Sequence, residues 1–589
     1  MVQTTHFGAS ADTAFAADLV IVGAGAAGAV LARECAFAPF SVLILESGVA
    51  EETEAYAALN RVESVGEPRS PAQIAKRRAF HGAQAAFWRQ DQQGFGVRCR
   101  VLGGSTAAWA GKSAAFDPID FAARPWVAHT GWPFGRDEIA PYLARAGAHL
   151  NLGPHRYGAD FWEQYPGGEP APTFPSDRLV PFFWQFARSR LDPLDVMRIG
   201  PELARLKAPN VRLITDATVT EILTDPGGAE VAGVKIASLS GKRGEVRAKF
   251  VALAAGGIEN PRLLLASRAA RPEGLGNAQD LVGRFLMDHP GARIAHFGPA
   301  DIAKVQRRFG FFGLTEGGKT HMYMHGLALS PTLQERERLL NCALYLMAEN
   351  APDDPWPALK RLLKGRWRSA GADVWAVMKS PGLFFTGIGM AILQSPLTPD
   401  PLKRLLVNAA IAFNPNFVAQ EFLSRGLPHK LVGLHVDAIS EQAPAPDSRI
   451  TLSEATDPMG TPQARIDWRL APDAAHSLRR LALLIREEFP KVGLPAPILE
   501  PWVESGRLED AVIIDMAHTL GATRMAGSAD RGVVDPHCEV FGVKGLFVAG
   551  GSVFPTSGHA NPTLMITALA VRLADHLKAR LGDSMGKPA

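Results

Sequence analysis

Residues 18–47, DLVIVGAGAAGAVLARECAFAPFSVLILES, limit what this chain can fold into more than any other stretch. The apolar run Leu19 to Val22 enters Gly23-x-Gly25-x-x-Gly28, a helical segment follows, and a second apolar run, Val42 to Leu45, ends in Glu46. This is the pattern of a βαβ unit. The first glycine makes the tight turn, the second lets backbone approach a diphosphate, and the third lets helix pack on strand, with the diphosphate at the helix N-terminus. Glu46 follows the last glycine by roughly 20 residues, where a carboxylate accepts the hydroxyls of an adenosine ribose and repels a 2′-phosphate.

Two further apolar runs end in paired glycines: FVALAAGG, reaching Gly256 and Gly257, and GLFVAGG, reaching Gly550 and Gly551. Ligands of open α/β sheets lie beyond the carboxyl ends of the strands, so the three runs are most simply neighbours in one sheet around one dinucleotide. The spacing therefore predicts a discontinuous Rossmann-like domain, α/β in class and α+β overall, with an inserted antiparallel-sheet domain. The expected division is 1–125, 201–290 and 516–589 for the nucleotide domain, and 126–200 and 291–515 for the insert. Within the insert, residues 291–297, 342–348, 431–438 and 464–469 are short alternating or apolar stretches separated by turn residues. Residues 473–489 carry leucines at helical spacing and are expected to cover that sheet.

The 589 residues exceed what a single core ordinarily organises. A formal charge of +3 and the lack of a basic block with interleaved aromatics exclude nucleic acid as an expected partner. Cys35, Cys99, Cys342 and Cys538 are widely spaced and form no CxxC, so neither a metal site nor a disulfide framework is expected, and a reducing, cytoplasmic setting is. The first residues show no basic segment followed by an apolar run. Residues 355–425 mix apolar faces with Lys and Arg but contain no run long enough to cross a bilayer. Helices packed on the second domain are the favoured reading, and contact with a membrane surface is the other.

Several motifs are shared with a known family. They are GAGAAG with Glu46, RVLGGSTAAWAG (100–111), the GWP loop (131–133), AAGGIENPRLLLAS (254–267), VGRFLMDHP (282–290), DSRITLS (447–453), DMAHTLGATRM (515–525) and AGGSVFPTSGHANPTLMITALAVRLADHL (549–577). In these the chain resembles the glucose-methanol-choline (GMC) family of FAD-dependent oxidoreductases, nearest its sugar and polyol dehydrogenases and pyranose oxidases. The resemblance implies oxidation of a CH–OH group of a sugar, glycoside, polyol or other alcohol by hydride transfer to flavin N5, with oxygen, a quinone or a protein as electron acceptor.

By position in the motifs, His518 is the expected general base and Asn561 the group that shares its substrate oxygen, with His559 a third candidate. A base is needed because an alcohol is far too weak an acid to lose its proton unaided. Asn561-Pro562 also has the form of a helix cap followed by a first-turn proline. The implied cofactor envelope comprises Gly23, Gly25, Ala26, Ala27, Gly28, Glu46, Ser47, Arg100, Gly104, Ser105, Trp109, Ala110, Val219, Ala255, Gly550, Asn561 and Thr563. Some relatives tether FAD through a histidine near STHW. Here the sequence reads Ser105-Thr-Ala-Ala-Trp109, so non-covalent FAD is expected. Two alternatives stay open from the residues: an FAD-containing lyase on the same fold, and an NAD-dependent Rossmann dehydrogenase.

Overall fold

The computed structural model describes residues 2–165, 174–350 and 431–585, and between the last two 355, 370–379, 393, 395, 397–416 and 418–419. The first sheet runs in the spatial order β1 (Gln3–His6), β7 (Val211–Thr215), β3 (Val42–Leu45), β2 (Ala14–Val22), β10 (Arg243–Leu253), β9 (Val231–Ala237), β8 (Thr218–Thr224), and β20 (Leu546–Val548) also pairs with β10. Strand β10 is parallel to β2 on one side, Leu253 level with Val22, and parallel to β20 on the other, Leu253 level with Val548. The three glycine-ended runs thus lie side by side, as their spacing predicts. Residues Leu19 to Val22, Val42 to Leu45 and Val251 to Leu253 are all buried, because helices and loops cover both faces of the parallel part.

Helix α1 (Ala26–Glu34) starts directly after the first glycine turn. A Cβ on Gly28 would lie 2.0 Å from the Gly23 carbonyl oxygen, so the missing side chain is what allows helix and strand to approach. The C-terminal helix Thr563–Met585 packs on α1 and on helix Arg136–Leu150.

The second sheet is antiparallel, in the order β18 (Ile498–Leu499), β11 (Pro290–Phe297), β15 (Leu431–Ser440), β14 (Cys342–Asn350), β13 (Lys319–Leu329), β6 (Leu179–Phe186), β5 (Lys112–Ser113). Strand β12 (Phe311–Glu316) pairs with β13, and β19 (Ile514–Asp515) with β11. Three of the four stretches read as its strands are there. The fourth, 464–469, is instead β17 (Pro462–Asp467), which joins β16 (Arg449–Thr456) and β4 (Val62–Val65) in a separate three-stranded sheet. Strand β6 escaped the sequence reading because Phe182, Phe183, Trp184, Gln185 and Phe186 are all buried and leave no alternation. Helix Pro472–Lys491 covers the second sheet as expected, touching β11, β14 and β15. The sheet also claims residues 112 and 113, which the sequence division assigned to the nucleotide domain.

Of segment 355–425, helix Asp400–Phe413 packs Val407 and Ile411 towards β12 and β13, consistent with the favoured reading, and much of the rest lies outside the described residues. Among the described residues no helix is long and apolar enough to cross a membrane.

The contact at Gly28 gives a direct test of the fold. Gly28→Ala should force α1 off β2 and destabilise the protein by about 1–3 kcal/mol, the cost of overpacking. A thermal midpoint equal to the parent's would show that the helix can shift freely.

Candidate active site

Beyond the ends of β2, β3, β10 and β20 lies a cavity of about 430 Å³. It is lined by most residues singled out from the sequence: Gly23, Gly25, Ala26, Ala27, Glu46, Ser47, Arg100, Ser105, Trp109, Ala110, Val219, Ala255, His518, Gly550, Asn561 and Thr563. Gly28 and Gly104 stand behind this wall. Gly28 serves the helix–strand contact, and a Cβ on Gly104 would sit 3.2 Å from Gly25 Cα, so Gly104 holds two loops together.

The nucleotide end follows from the parallel sheet. Glu46 is buried at the tip of β3, its Oε2 accepting from the Ala24 N–H at 2.8 Å and its Oε1 from the Gly48 N–H at 2.7 Å. Burial raises its pKa, while these amides and Arg100 favour the ionised form. Arg100 donates to Ser47 Oγ at 3.2 Å and pairs with Glu259 at 3.1 Å, which fixes the cavity side beside Glu46. The first turn of α1 presents its N-terminus to the same space, a favourable place for phosphate charge. A carboxylate with lone pairs left, a helix N-terminus and glycines at the closest approach form a donor set that fits a dinucleotide. Gly25 adds to this, since a Cβ there would meet nothing within 4 Å.

The other end is built by a short strand pair. β19 pairs with the start of β11, Asp515 opposite Pro290, and Met287 bridges to Leu520. This antiparallel contact sets the loop carrying His518 against Asp288-His289. Asp288 then accepts three backbone N–H groups, from His289 at 2.7 Å, Met516 at 2.8 Å and His518 at 2.9 Å. Ala517 is held at φ 62°, left-handed for a residue with a side chain and worth roughly 1–2 kcal/mol of strain. The carboxylate staple therefore enforces a backbone turn that aims His518 into the cavity.

The side chains form one chain of contacts. His289 Nε2 lies 3.0 Å from the Ser557 carbonyl oxygen, His289 Nδ1 lies 2.9 Å from His518 Nδ1, and Asn561 Nδ2 lies 3.2 Å from His518 Nε2. A carbonyl oxygen cannot donate, so His289 carries its proton on Nε2. Burial lowers the pKa of His289 to about 4, so at neutral pH its Nδ1 is bare and accepts from His518 Nδ1–H. His518, also held well below the usual histidine range by burial and by the nearby positive groups, is left with a bare Nε2. That lone pair faces the Asn561 amide at the cavity floor. Sequence alone gives His289 no role, and its one signal is its place in the VGRFLMDHP motif.

Asn561 does not act as the helix cap its sequence form suggested. Its Oδ1 is buried without a hydrogen-bond partner, and the first helical bond runs from Ile566 N–H to the Pro562 carbonyl at 2.8 Å. The amide is turned to His518 instead. His559 does not line the cavity. It is fully buried behind the wall, its ring 4.5 Å from that of Phe182, and neither ring nitrogen has a hydrogen-bond partner. Burial lowers its pKa to about 3 and raises that of Asp117, 3.8 Å away, to about 6, so the two do not form a charged pair at neutral pH.

Two family models match the chain, both described as GMC oxidoreductase, over residues 202–291 and 444–570. Among curated relatives, 2-methyl-1,2-propanediol dehydrogenase of Mycolicibacterium austroafricanum is 25% identical over 82% of this chain and 81% of its own length. Paromamine 6′-oxidase of Streptomyces fradiae is 25% identical over 97% of this chain and 92% of its own. The solved structure of pyridoxine 4-oxidase from Mesorbium loti superposes with a TM-score of 0.54 at 16% identity, covering 95% of this chain and 98% of that one, and shares the fold. With the motifs, both family models and the fold in agreement, this chain belongs to the GMC oxidoreductases.

Proposed function

We propose that this protein is an FAD-dependent oxidoreductase that oxidises the CH–OH group of a small alcohol, sugar, glycoside or polyol, with His518 as general base. The observation that carries this reading is the contact chain from Ser557 through His289 and His518 to Asn561, which leaves one imidazole nitrogen bare at the cavity floor. The relatives' names, a 2-methyl-1,2-propanediol dehydrogenase and a paromamine 6′-oxidase among them, support a CH–OH donor.

Glu46, Ser47, Arg100, Gly23, Gly25 and the N-terminus of α1 would hold the nucleotide, bound without a covalent link. When bound, FAD supplies at N5 the acceptor for the hydride that leaves the carbinol carbon. The chain's own residues do the rest. His518 Nε2 accepts the hydroxyl proton as the hydride departs, which spares the substrate a free alkoxide. Asn561 Nδ2–H donates to the same oxygen, holding the carbinol hydrogen in line, and a well-placed donor of this kind contributes a few kcal/mol. His289 keeps its neighbour in the tautomer with Nε2 free and spreads the positive charge that develops. The electron acceptor, whether oxygen, a quinone or a protein, is the second substrate of the cycle.

Four outcomes follow. The purified protein should show oxidised-flavin absorption that bleaches anaerobically with an alcohol, and protein that neither carries nor takes up FAD would overturn the reading. His518→Ala should keep its flavin and slow anaerobic reduction by about two to four orders of magnitude, and unchanged reduction would remove it from the mechanism. A histidine held well below its ordinary pKa stays unprotonated as the pH falls through 6.5, so the acid limb of kcat/KM should lie well under that pH, whereas an inflection at 6.5 would contradict the assigned tautomer chain. Glu46→Ala should lower the flavin-to-protein absorbance ratio after gel filtration, and full loading would count against its ribose role.

A further inference from the structure

The cavity wall supplied by the second sheet is apolar, with one exception. Phe186, Met324, Tyr345, Met347 and Ile439 line it, and strand pairing sets Lys112 beside Phe186, with Trp184 two residues back along the same strand. Residues two apart share a sheet face, so Lys112 is projected over Trp184 and Tyr345. Its Nζ lies 3.5 Å from the Tyr345 ring centroid and 4.2 Å from that of Trp184.

No described residue forms a hydrogen bond or ion pair with this ammonium. The other charged groups on the cavity are already engaged: Arg98 and Arg100 with Glu259, and Glu46 with backbone amides. Asp437, the one acid whose charge acts on Lys112, stands 4.0 Å from Arg293. Burial holds Lys112 well below the usual lysine range, a penalty that a bound anion would offset, and Lys112 and His518 line the same cavity. Two aromatic faces stabilise a cation by about 1–2 kcal/mol but give its N–H donors no oxygen acceptor, so an anion entering the recess gains a desolvated partner. The same wall offers few partners to a hydroxyl-rich sugar, whose polar groups would be buried unpaired.

Resting on the reading of this cavity as an alcohol-oxidising site, we propose that Lys112 is an anion subsite and that the substrate is an alcohol with an apolar body and a carboxylate. The carboxylate pairs with Lys112 Nζ, the apolar body lies on Tyr345, Met324 and Met347, and the hydroxyl meets His518 and Asn561. Oxidation converts the CH–OH to a carbonyl, the hydride going to FAD and the hydroxyl proton to His518. The carboxylate is unchanged.

The holoenzyme would be reduced anaerobically with ω-hydroxycarboxylates of increasing chain length and with the matching primary alcohols. Binding of hexanoate, which has no hydroxyl to oxidise, would be compared with that of neutral hexanamide by calorimetry. The parent enzyme should prefer the hydroxycarboxylate at one chain length by about tenfold or more and bind hexanoate over hexanamide by a similar factor, as for a desolvated charge pair. Both preferences should collapse towards unity in Lys112→Gln and be largely kept in Lys112→Arg, with flavin content and circular dichroism checked for each. A parent enzyme that prefers neither the carboxylate substrate nor hexanoate would overturn the proposal without any variant. So would a folded Lys112→Gln that keeps both preferences, since the lysine would then only brace its two aromatic neighbours. Failure of the flavin to bleach with any alcohol would count against the oxidoreductase reading, whereas the hexanoate comparison decides the role of Lys112 separately.

Discussion

Everything at the catalytic end of this molecule depends on the parallel hydrogen bonding of β10 to a strand from the start of the chain on one side and a strand from its end on the other. The bond from Ala254 N–H to the Val22 carbonyl is 2.8 Å and that from Ala549 N–H to the Leu253 carbonyl is 2.7 Å. These fix the heights at which the three strands stop. Because the strands stop level, their glycine turns open onto one space, and the residues after each turn become walls of a single cavity. Parallel strands are usually covered on both faces, and the helices that cover these also start at the cavity.

The second constraint is the brief pairing of β19 with β11, a contact of only two residue pairs. It joins two loops that are far apart in sequence, and the Asp288 carboxylate locks them by accepting three amide protons. Asp515, opposite Pro290 at the same end of that strand pair, is held ionised by His81 and by Arg77, the latter at 2.5 Å. With that charge already buried, the pKa of Asp288 rises, first through its own burial and then through Asp515. Buried groups so tightly engaged leave His518 little freedom, and the left-handed Ala517 shows that backbone preference gives way to this network.

The inserted sheet decides what the cavity admits. Its contribution is mostly surface: aromatic and methionine side chains that offer shape and dispersion contacts but little hydrogen bonding. Against such a wall a single cation weighs more than it would in water, because both its field and the cost of leaving it unpaired grow as the surroundings become less polar. The nucleotide end of the cavity and its apolar wall are thus built by different sheets.

The nucleotide half is legible from the residues alone. Gly23, Gly25, Gly28 and Glu46 announce their roles because local steric rules allow few residues at such turns, and the alternating or apolar runs of β2, β3 and β10 need only their own periodicity to be read. His518 and Asn561 were legible through motifs, which carry chemistry but not geometry. Long-range contacts settle the rest. They set β17 in a third sheet, hide His559 behind Phe182, turn the Asn561 amide to His518 rather than to its helix, bring His289 against His518, and bring Lys112 to the cavity. None of these follows from neighbouring residues: each depends on which distant surface a side chain meets, and burial among such surfaces, rather than local propensity, fixes protonation, tautomer and reach.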